Sequence, residues 1–451
     1  MLGLAGGAIL VPLNTTMLAV SLPSVMGEFG LGPNTVSSLV TLYLGAVVVA
    51  LPASGSLGDR FGHRRTFLGG VVGFAVASLL AASAGSFFVL EIGRVLQAVA
   101  GAFVSTSSAA LVRQLAPPEQ RGEAFGLFGM LVNTSAAVGP LIGGLLVAAF
   151  GWRSLFFVAV PVALLGAVVV GVVHAPPPAD EVASPHTAGG ASTVRPRSID
   201  LPGLGLISML LVALLITLRS LGDGRPAWAA AIIGLALLIA FVAVELRADH
   251  PAVDPRLFLI RPFAAAVGVT LLATVVLHAT LIIVPLLVER LLAGSPATSG
   301  LVLLGISGLG ALAAPFGGRL SDRAGRRGPV LLGMLLAAGG LAALWLGGAQ
   351  SSTLIVAMLL SIVGLGLGLS GSPAQAAALE SVRVDRVGMA ASTFYTGRYL
   401  GGVLGASLAG AVLGTTVTSG GASLGFALLA AVGVGAAVVA LGLPRRATGR
   451  A

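Results

Sequence analysis

Fourteen mostly apolar stretches, each long enough to cross a bilayer as a helix, run the length of this 451-residue chain. A helix needs about 20 residues to traverse ~30 Å of hydrocarbon and satisfies its own backbone there, so the pattern predicts an all-α integral membrane fold. The stretches are residues 2–25, 35–57, 66–85, 87–112, 124–150, 154–173, 201–220, 227–245, 262–288, 298–319, 328–348, 353–379, 388–414 and 421–443. The first lacks a basic leader and is too long for the apolar core of a signal peptide, so it is expected to stay in the membrane. Composition agrees, with 56% hydrophobic and 9% charged residues and a mean hydropathy of +1.03. Soluble domains carry about 25% charged residues.

Missing residue types narrow function further. The chain has no cysteine, which excludes disulfides and thiolate-ligated metals, and no lysine, so all 25 cationic residues are arginine. The P-loop lysine of an ATP-driven pump and any Schiff-base amine are therefore excluded. No His, Asp or Glu cluster has the spacing of a metal site or a nucleophilic triad. Gly421-Ala-Ser423-Leu-Gly425 has the letters of a nucleophile elbow but opens an apolar span with no strand before it. Neither an enzyme nor a cofactor is expected. The net charge of +9 comes from arginines in short connections rather than on one basic arm, so no nucleic-acid partner is expected. With both termini inside, the inner connections and tail hold nineteen arginines, and the outer connections hold four, Arg153, Arg219, Arg225 and Arg290. That bias predicts a multi-pass plasma-membrane protein with cytoplasmic termini.

A charged run recurs across the chain. Gly55-Ser-Leu-Gly-Asp59-Arg60-Phe-Gly62-His-Arg-Arg65 returns as Gly318-Arg-Leu-Ser-Asp322-Arg323-Ala-Gly325-Arg326-Arg327. Arg121-Gly-Glu-Ala-Phe-Gly126 before the fifth span is echoed by Arg386-Val-Gly388-Met-Ala-Ala-Ser392 before the thirteenth. Such long-range repetition predicts two related halves. Setting aside the spans at 201–220 and 227–245 leaves six and six. The domain reading is therefore a six-helix half over 1–173, a Pro- and Gly-bearing cytoplasmic linker over 174–200, two inserted helices with a cytoplasmic loop over 201–260, and a second six-helix half over 261–451.

At these residues the chain resembles the major facilitator superfamily. The run Gly55 to Arg65 resembles that family's signature between its second and third helices, and the copy at Gly318 its second-half counterpart. Arg94-Val-Leu-Gln97-Ala-Val-Ala-Gly101 is similar to the fourth-helix motif, and Gly126, Ser135 and Gly139-Pro140-Leu-Ile-Gly143-Gly144 to the fifth-helix antiporter motif. Fourteen spans and the Leu13-Asn14-Thr-Thr16 run in the first helix point to the 14-span drug:proton antiporter family. The resemblance implies a monomer with a major-facilitator-type fold, and a Gly-Pro helix that limits leak.

The same residues have readings of their own. A turn carrying Asp59 or Asp322 can set a carboxylate at the positive end of a neighbouring helix while Arg60, Arg65 and Arg323 reach lipid phosphates, which would gate the two halves. The alternative is a solvated turn with topology anchors. Gly55, Gly58 and Gly62 allow close approach and a tight bend. Gly139, Pro140, Gly143 and Gly144 form a thin helix stripe that packing alone also accounts for. The intramembrane polar inventory is short, comprising Asn14, Glu91, Arg94, Gln97, Asn133, His278, Gln375, Arg398 and tyrosines 43, 395 and 399. Ionisable groups at that depth are functional candidates by default. Glu91 stands three residues before Arg94, so a local ion pair is available. His278 can titrate, bind substrate or simply hydrogen-bond a neighbour. Arg398 can attract an anionic substrate, attract a carboxylate of another helix, or snorkel to the surface.

The expected function is secondary active export of small amphipathic organic compounds by alternating access, with substrate and protons as partners alongside the bilayer. Direction and antiport rest on the resemblance. Where the 14-span antiporters have an aspartate in the first helix this chain has Asn14, whose amide cannot carry a proton. Glu91 is the first candidate carrier, His278 the second, and Glu289 a further one. A non-proton-coupled carrier or a membrane sensor of the same fold is the alternative.

Overall fold

The computed structural model describes residues 2–115, 121–172, 201–222, 228–248, 253–347, 352–383 and 386–445. The linker expected over 174–200 lies outside them, and so does the side chain of Asp59. Among the described residues every regular element is helical: α1 Leu2–Phe29, α2 Pro33–Val36, α3 Ser38–Phe61, α4 His63–Ala82, α5 Phe87–Leu115, α6 Arg121–Phe150, α7 Ser154–Val172, α8 Leu201–Gly222, α9 Trp228–Glu245, α10 Arg261–Arg290, α11 Pro296–Ala324, α12 Arg327–Trp345, α13 Thr353–Glu380, α14 Val387–Leu413 and α15 Ser419–Ala440, with a 3-10 turn at Pro255–Leu259. Each expected span thus coincides with a long helix. Eleven of these helices contain a stretch apolar and long enough to cross a membrane, while α7 and α8 have shorter apolar cores at Ser154–Val168 and Gly205–Leu214. This is a multi-pass membrane protein.

Local chemistry sets several helix ends. Pro296 opens α11 at a position where its missing N–H costs nothing, and a reciprocal Ser295–Thr298 capping box satisfies donors beside it. The Asp-Arg runs, expected as loops, are helical almost throughout: α3 continues to Phe61 and α11 to Ala324, and each breaks at one glycine. Gly62 and Gly325 both take φ of 86°, a region that side chains disfavour, so a single residue makes the reversal in each half. Gly58 is helical rather than part of the bend. It lets His63 fold back, since a Cβ there would lie 2.6 Å from His63 Nδ1.

One half is built from α1 and α3 to α7, the other from α10 to α15. α8 packs on α9 and against α14 and α3, so the inserted pair leans on both halves. α9 leaves Ile232, Ile233, Leu235 and Ile239 exposed, as suits lipid. After α9, buried Asp254 accepts from the Arg256 N–H at 2.9 Å and stands 4.0 Å from Arg386 at the start of α14, tethering the insertion there.

The halves meet mainly toward one end. The C-terminal Pro444 carbonyl accepts from the Arg327 N–H beside the Gly325 turn at 3.2 Å, and that end of the bundle is here the terminal end; the opposite is the far end. At the far end Arg290 of α10 donates to the Pro23 carbonyl of α1 at 3.2 Å, and the Asn34 N–H donates to the Gly414 carbonyl at 3.1 Å. There α6 and α11 touch backbone to backbone, because a Cβ on Gly144 would lie 2.5 Å from the Pro296 carbonyl and one on Gly300 2.5 Å from that of Pro140. Ser307 adds a 2.7 Å bond to the Ala137 carbonyl. These described contacts between α6 and α11 lie toward the far end; nearer the terminal end Asn133, one turn before Ala137 on the same face of α6, is exposed.

Candidate functional site

The largest buried polar cluster lies inside the first half. Arg94 of α5 is fully buried, as are Gln97 and Tyr43, and Asn14 is 4% exposed. The Arg94 Nη1 donates to the Asn14 Oδ1 on α1 and to the Gln97 Oε1 at 2.9 Å. Gln97 passes the chain on, its Nε2 donating to Ser78 Oγ of α4 at 2.7 Å. The guanidinium also lies over the Tyr43 ring of α3, 4.1 Å from its centroid. Four helices thus converge on one cation through neutral partners. The Arg94 Nε and Nη2 have no hydrogen-bond partner among the described residues.

The sequence-based pairing of Glu91 with Arg94 is corrected here. The Glu91 Oε1 accepts from the Ser38 hydroxyl of α3. The ion pairs among the described residues include Arg153–Glu28, Arg326–Asp322, Arg326–Glu380 and Arg386–Asp254. Spacing alone allowed the local pair. The Ser38 hydroxyl supplies Glu91 with a partner instead, and amide oxygens hold the guanidinium.

Across the interface the second half offers a more open set. His278 of α10 donates from Nδ1 to the Thr274 carbonyl at 3.1 Å. A Cβ on Gly402 would lie 3.2 Å from the His278 ring and 2.8 Å from Leu44 of α3, so α3, α10 and α14 converge at this depth. Arg398 of α14 is exposed, and its carbonyl accepts from the Thr274 hydroxyl of α10 at 3.0 Å. The Gln375 Nε2 of α13 donates to the Tyr395 hydroxyl at 3.1 Å. A polar seam therefore borders the interface, with Arg94 and Tyr43 in the first half and His278, Arg398 and Tyr399 in the second.

The fifth-helix motif divides its work between two partners. Gly139 and Gly143 admit α1, since Cβ atoms there would approach Thr16 and Met17, whereas Pro140 and Gly144 admit α11. Gly126 lies at the start of α6, before the described side chains of that helix begin.

At the terminal end, Gly55 is helical and Arg60, Arg65, Asp322 and Arg323 are exposed. The Arg60 guanidinium lies 5.4 Å from the Phe61 ring. Arg326, which sequence reasoning did not single out, is the organising residue of the second turn. It donates through Nε and Nη2 to both Glu380 oxygens at 3.1 and 2.5 Å, and through Nη1 to Asp322 Oδ1 and Ser321 Oγ at 2.7 Å each. This bidentate pairing with Glu380, reinforced by Asp322, raises the Arg326 pKa and keeps the guanidinium charged. The repeat carried a weak signal for it, because Arg326 aligns with His63 and Glu380 ends the helix two spans later.

Comparison with known proteins agrees with this architecture. The sequence profile of the Major Facilitator Superfamily matches residues 4–406 and again 266–451. The chain is 32% identical over 416 residues to the uncharacterized MFS-type transporter YwoD of Bacillus subtilis, covering 92% of this chain and 90% of that one. It is 31% identical to the tetracenomycin C resistance and export protein of Streptomyces glaucescens, covering 92% and 76% of the two chains. A multidrug resistance protein B homolog of Mycobacterium tuberculosis is also 31% identical, covering 90% and 74%. In fold, the chain superposes on a D-xylose–proton symporter with a TM-score of 0.71 at 14% identity, covering 98% and 97% of the two chains. By profile, relatives and fold, this chain is a transporter of the Major Facilitator Superfamily and not an enzyme.

Proposed function

We propose that this protein exports small amphipathic organic compounds across the plasma membrane by alternating access, in exchange for protons, as a 14-span drug:proton antiporter does. The observation that carries the reading is where the halves meet, in backbone contact at the far end with Asn133 exposed toward the terminal end, which we read as a cleft, and with polar residues beside it. The arginine bias makes the terminal end cytoplasmic, so the cleft faces the compartment from which an exporter loads. The export and multidrug-resistance names of two relatives support the direction. The Asp-Arg turns act as cytoplasmic gates, and Glu91, held by Ser38, is the first-ranked proton carrier, ahead of His278.

A second reading has its own observation. Asn14 stands against Arg94 where a proton-coupled relative would be expected to place a titrating carboxylate, which favours transport that is not proton-coupled. One experiment separates the two. Inverted vesicles with and without the protein are given fluorescent amphipaths, with and without an imposed pH gradient. Gradient-dependent uptake supports proton exchange, equal uptake without a gradient supports the uncoupled carrier, and no uptake of any probe contradicts export. If Glu91→Gln and His278→Ala, separately and together, leave proton release intact, neither is the carrier.

A further inference from the structure

The charges deep in the membrane are all of one sign. Each acidic residue among the described ones falls in a connection or within the first or last five residues of a helix, Glu91 being the fifth residue of α5. Arginine goes deeper: Arg94 is the eighth residue of α5 and Arg398 the twelfth of α14. A cation in hydrocarbon is costly unless something compensates it. Arg94 has amide oxygens and a tyrosine face. Arg398 is exposed, and no described carboxylate pairs with it.

Its surroundings are those of a binding surface. Tyr395 and Tyr399 lie three residues before and one residue after it, Tyr395 is 38% exposed, and Gln375 already holds the Tyr395 hydroxyl. A planar guanidinium matches a carboxylate in two parallel hydrogen bonds, and a tyrosine face accepts a flat apolar body. With no anion at this depth, an organic cation would meet repulsion from both arginines in a medium that screens poorly.

We infer that the transported compounds are amphipathic organic anions, seated with the anionic group on Arg398 and an aromatic body along Tyr395 and Tyr399. This rests on the transporter reading and names its substrate class. The three fates open to Arg398 from sequence are thereby reduced to one: no described carboxylate meets it, and it stands in the middle of α14, its carbonyl accepting from Thr274, the residue whose own carbonyl meets His278.

The test compares 2-naphthoate with 2-naphthylmethylammonium, which differ in the sign of the charge. Equilibrium binding to the purified full chain in detergent is expected for the anion, at least tenfold tighter than for the cation. Arg398→Gln is expected to weaken anion binding tenfold or more, the scale of a lost charge-assisted pair, and Arg398→Lys to weaken it less. Equal binding of the two probes, no binding of the anion, or full anion binding by Arg398→Gln overturns the inference. The wild-type comparison stands even if a variant fails to fold. Counterflow of 2-naphthoate in proteoliposomes is read separately. Specific anion binding without flux leaves the site standing and removes the transport reading, whereas cation flux without anion binding does the reverse.

Discussion

The two ends of the bundle are held by different chemistry. At the far end the halves meet through glycine and backbone carbonyls, as where Gly144 and Gly300 bring α6 and α11 into direct contact. At the terminal end two of the described networks each stay within one half. Arg326 ties the α11–α12 turn to Glu380 of α13, and the Arg64 Nε reaches the Val170 carbonyl of α7 at 3.3 Å. Close backbone packing is short-ranged and intolerant of added volume, while charge networks keep each half rigid without binding it to the other. On the proposed reading, the difference makes the far end a seal and the terminal end a pair of stiffened rims.

Each contrast can be broken separately. The largest effect is expected from Gly144→Val, because its side chain would meet the Pro296 carbonyl and Gly300 backbone. Overpacking of this kind costs roughly 1–3 kcal/mol or more, so transport should fall tenfold or more while Gly205→Val on α8, where a Cβ meets nothing, leaves it unchanged. Flux in proteoliposomes measures both. Next, Arg326→Ala should lower transport several-fold, since it leaves Glu380 without its bidentate partner, and should lower the melting temperature by a few degrees. Asp59→Asn should then reduce transport a few-fold with near-normal expression, and Asp322→Asn less, as Asp322 is largely exposed and Glu380 holds Arg326 without it. Wild-type flux in Asp59→Asn would reduce the first turn to a topology anchor. The smallest change is expected from Arg290→Gln, which loses one part-buried 3.2 Å bond across the seal, about twofold in flux.

The helices were legible in sequence because lipid imposes length and apolarity on every span, and the boundaries hold to within a few residues even for α14, which carries Arg398 and two tyrosines. The repeat was legible too, and its paired glycines take the same φ. Partners were not. Ser38 lies 53 residues from Glu91, and Glu380 lies 54 from Arg326, so neither pairing follows from helical spacing. With 65 glycines, sequence could not say that Gly139 meets α1 while Gly144 meets α11. That choice is made by the docking of three helices. Asn14 was conspicuous as a missing aspartate, but only the fold puts its oxygen on Arg94.

The alternation of the two ends is the central claim, and distance measurement between spin labels tests it most directly in a chain that has no native cysteine. One labelled pair spans the cleft, at Leu127 on α6 and Leu320 on α11, and a second spans the seal, at Phe150 and Leu301; all four side chains are exposed. In liposomes the cleft pair should show a long and a short distance, and a shift toward the short one should be accompanied by lengthening of the seal pair. If both pairs hold one fixed distance under a pH gradient and with transported compound present, the halves do not alternate and the account is contradicted.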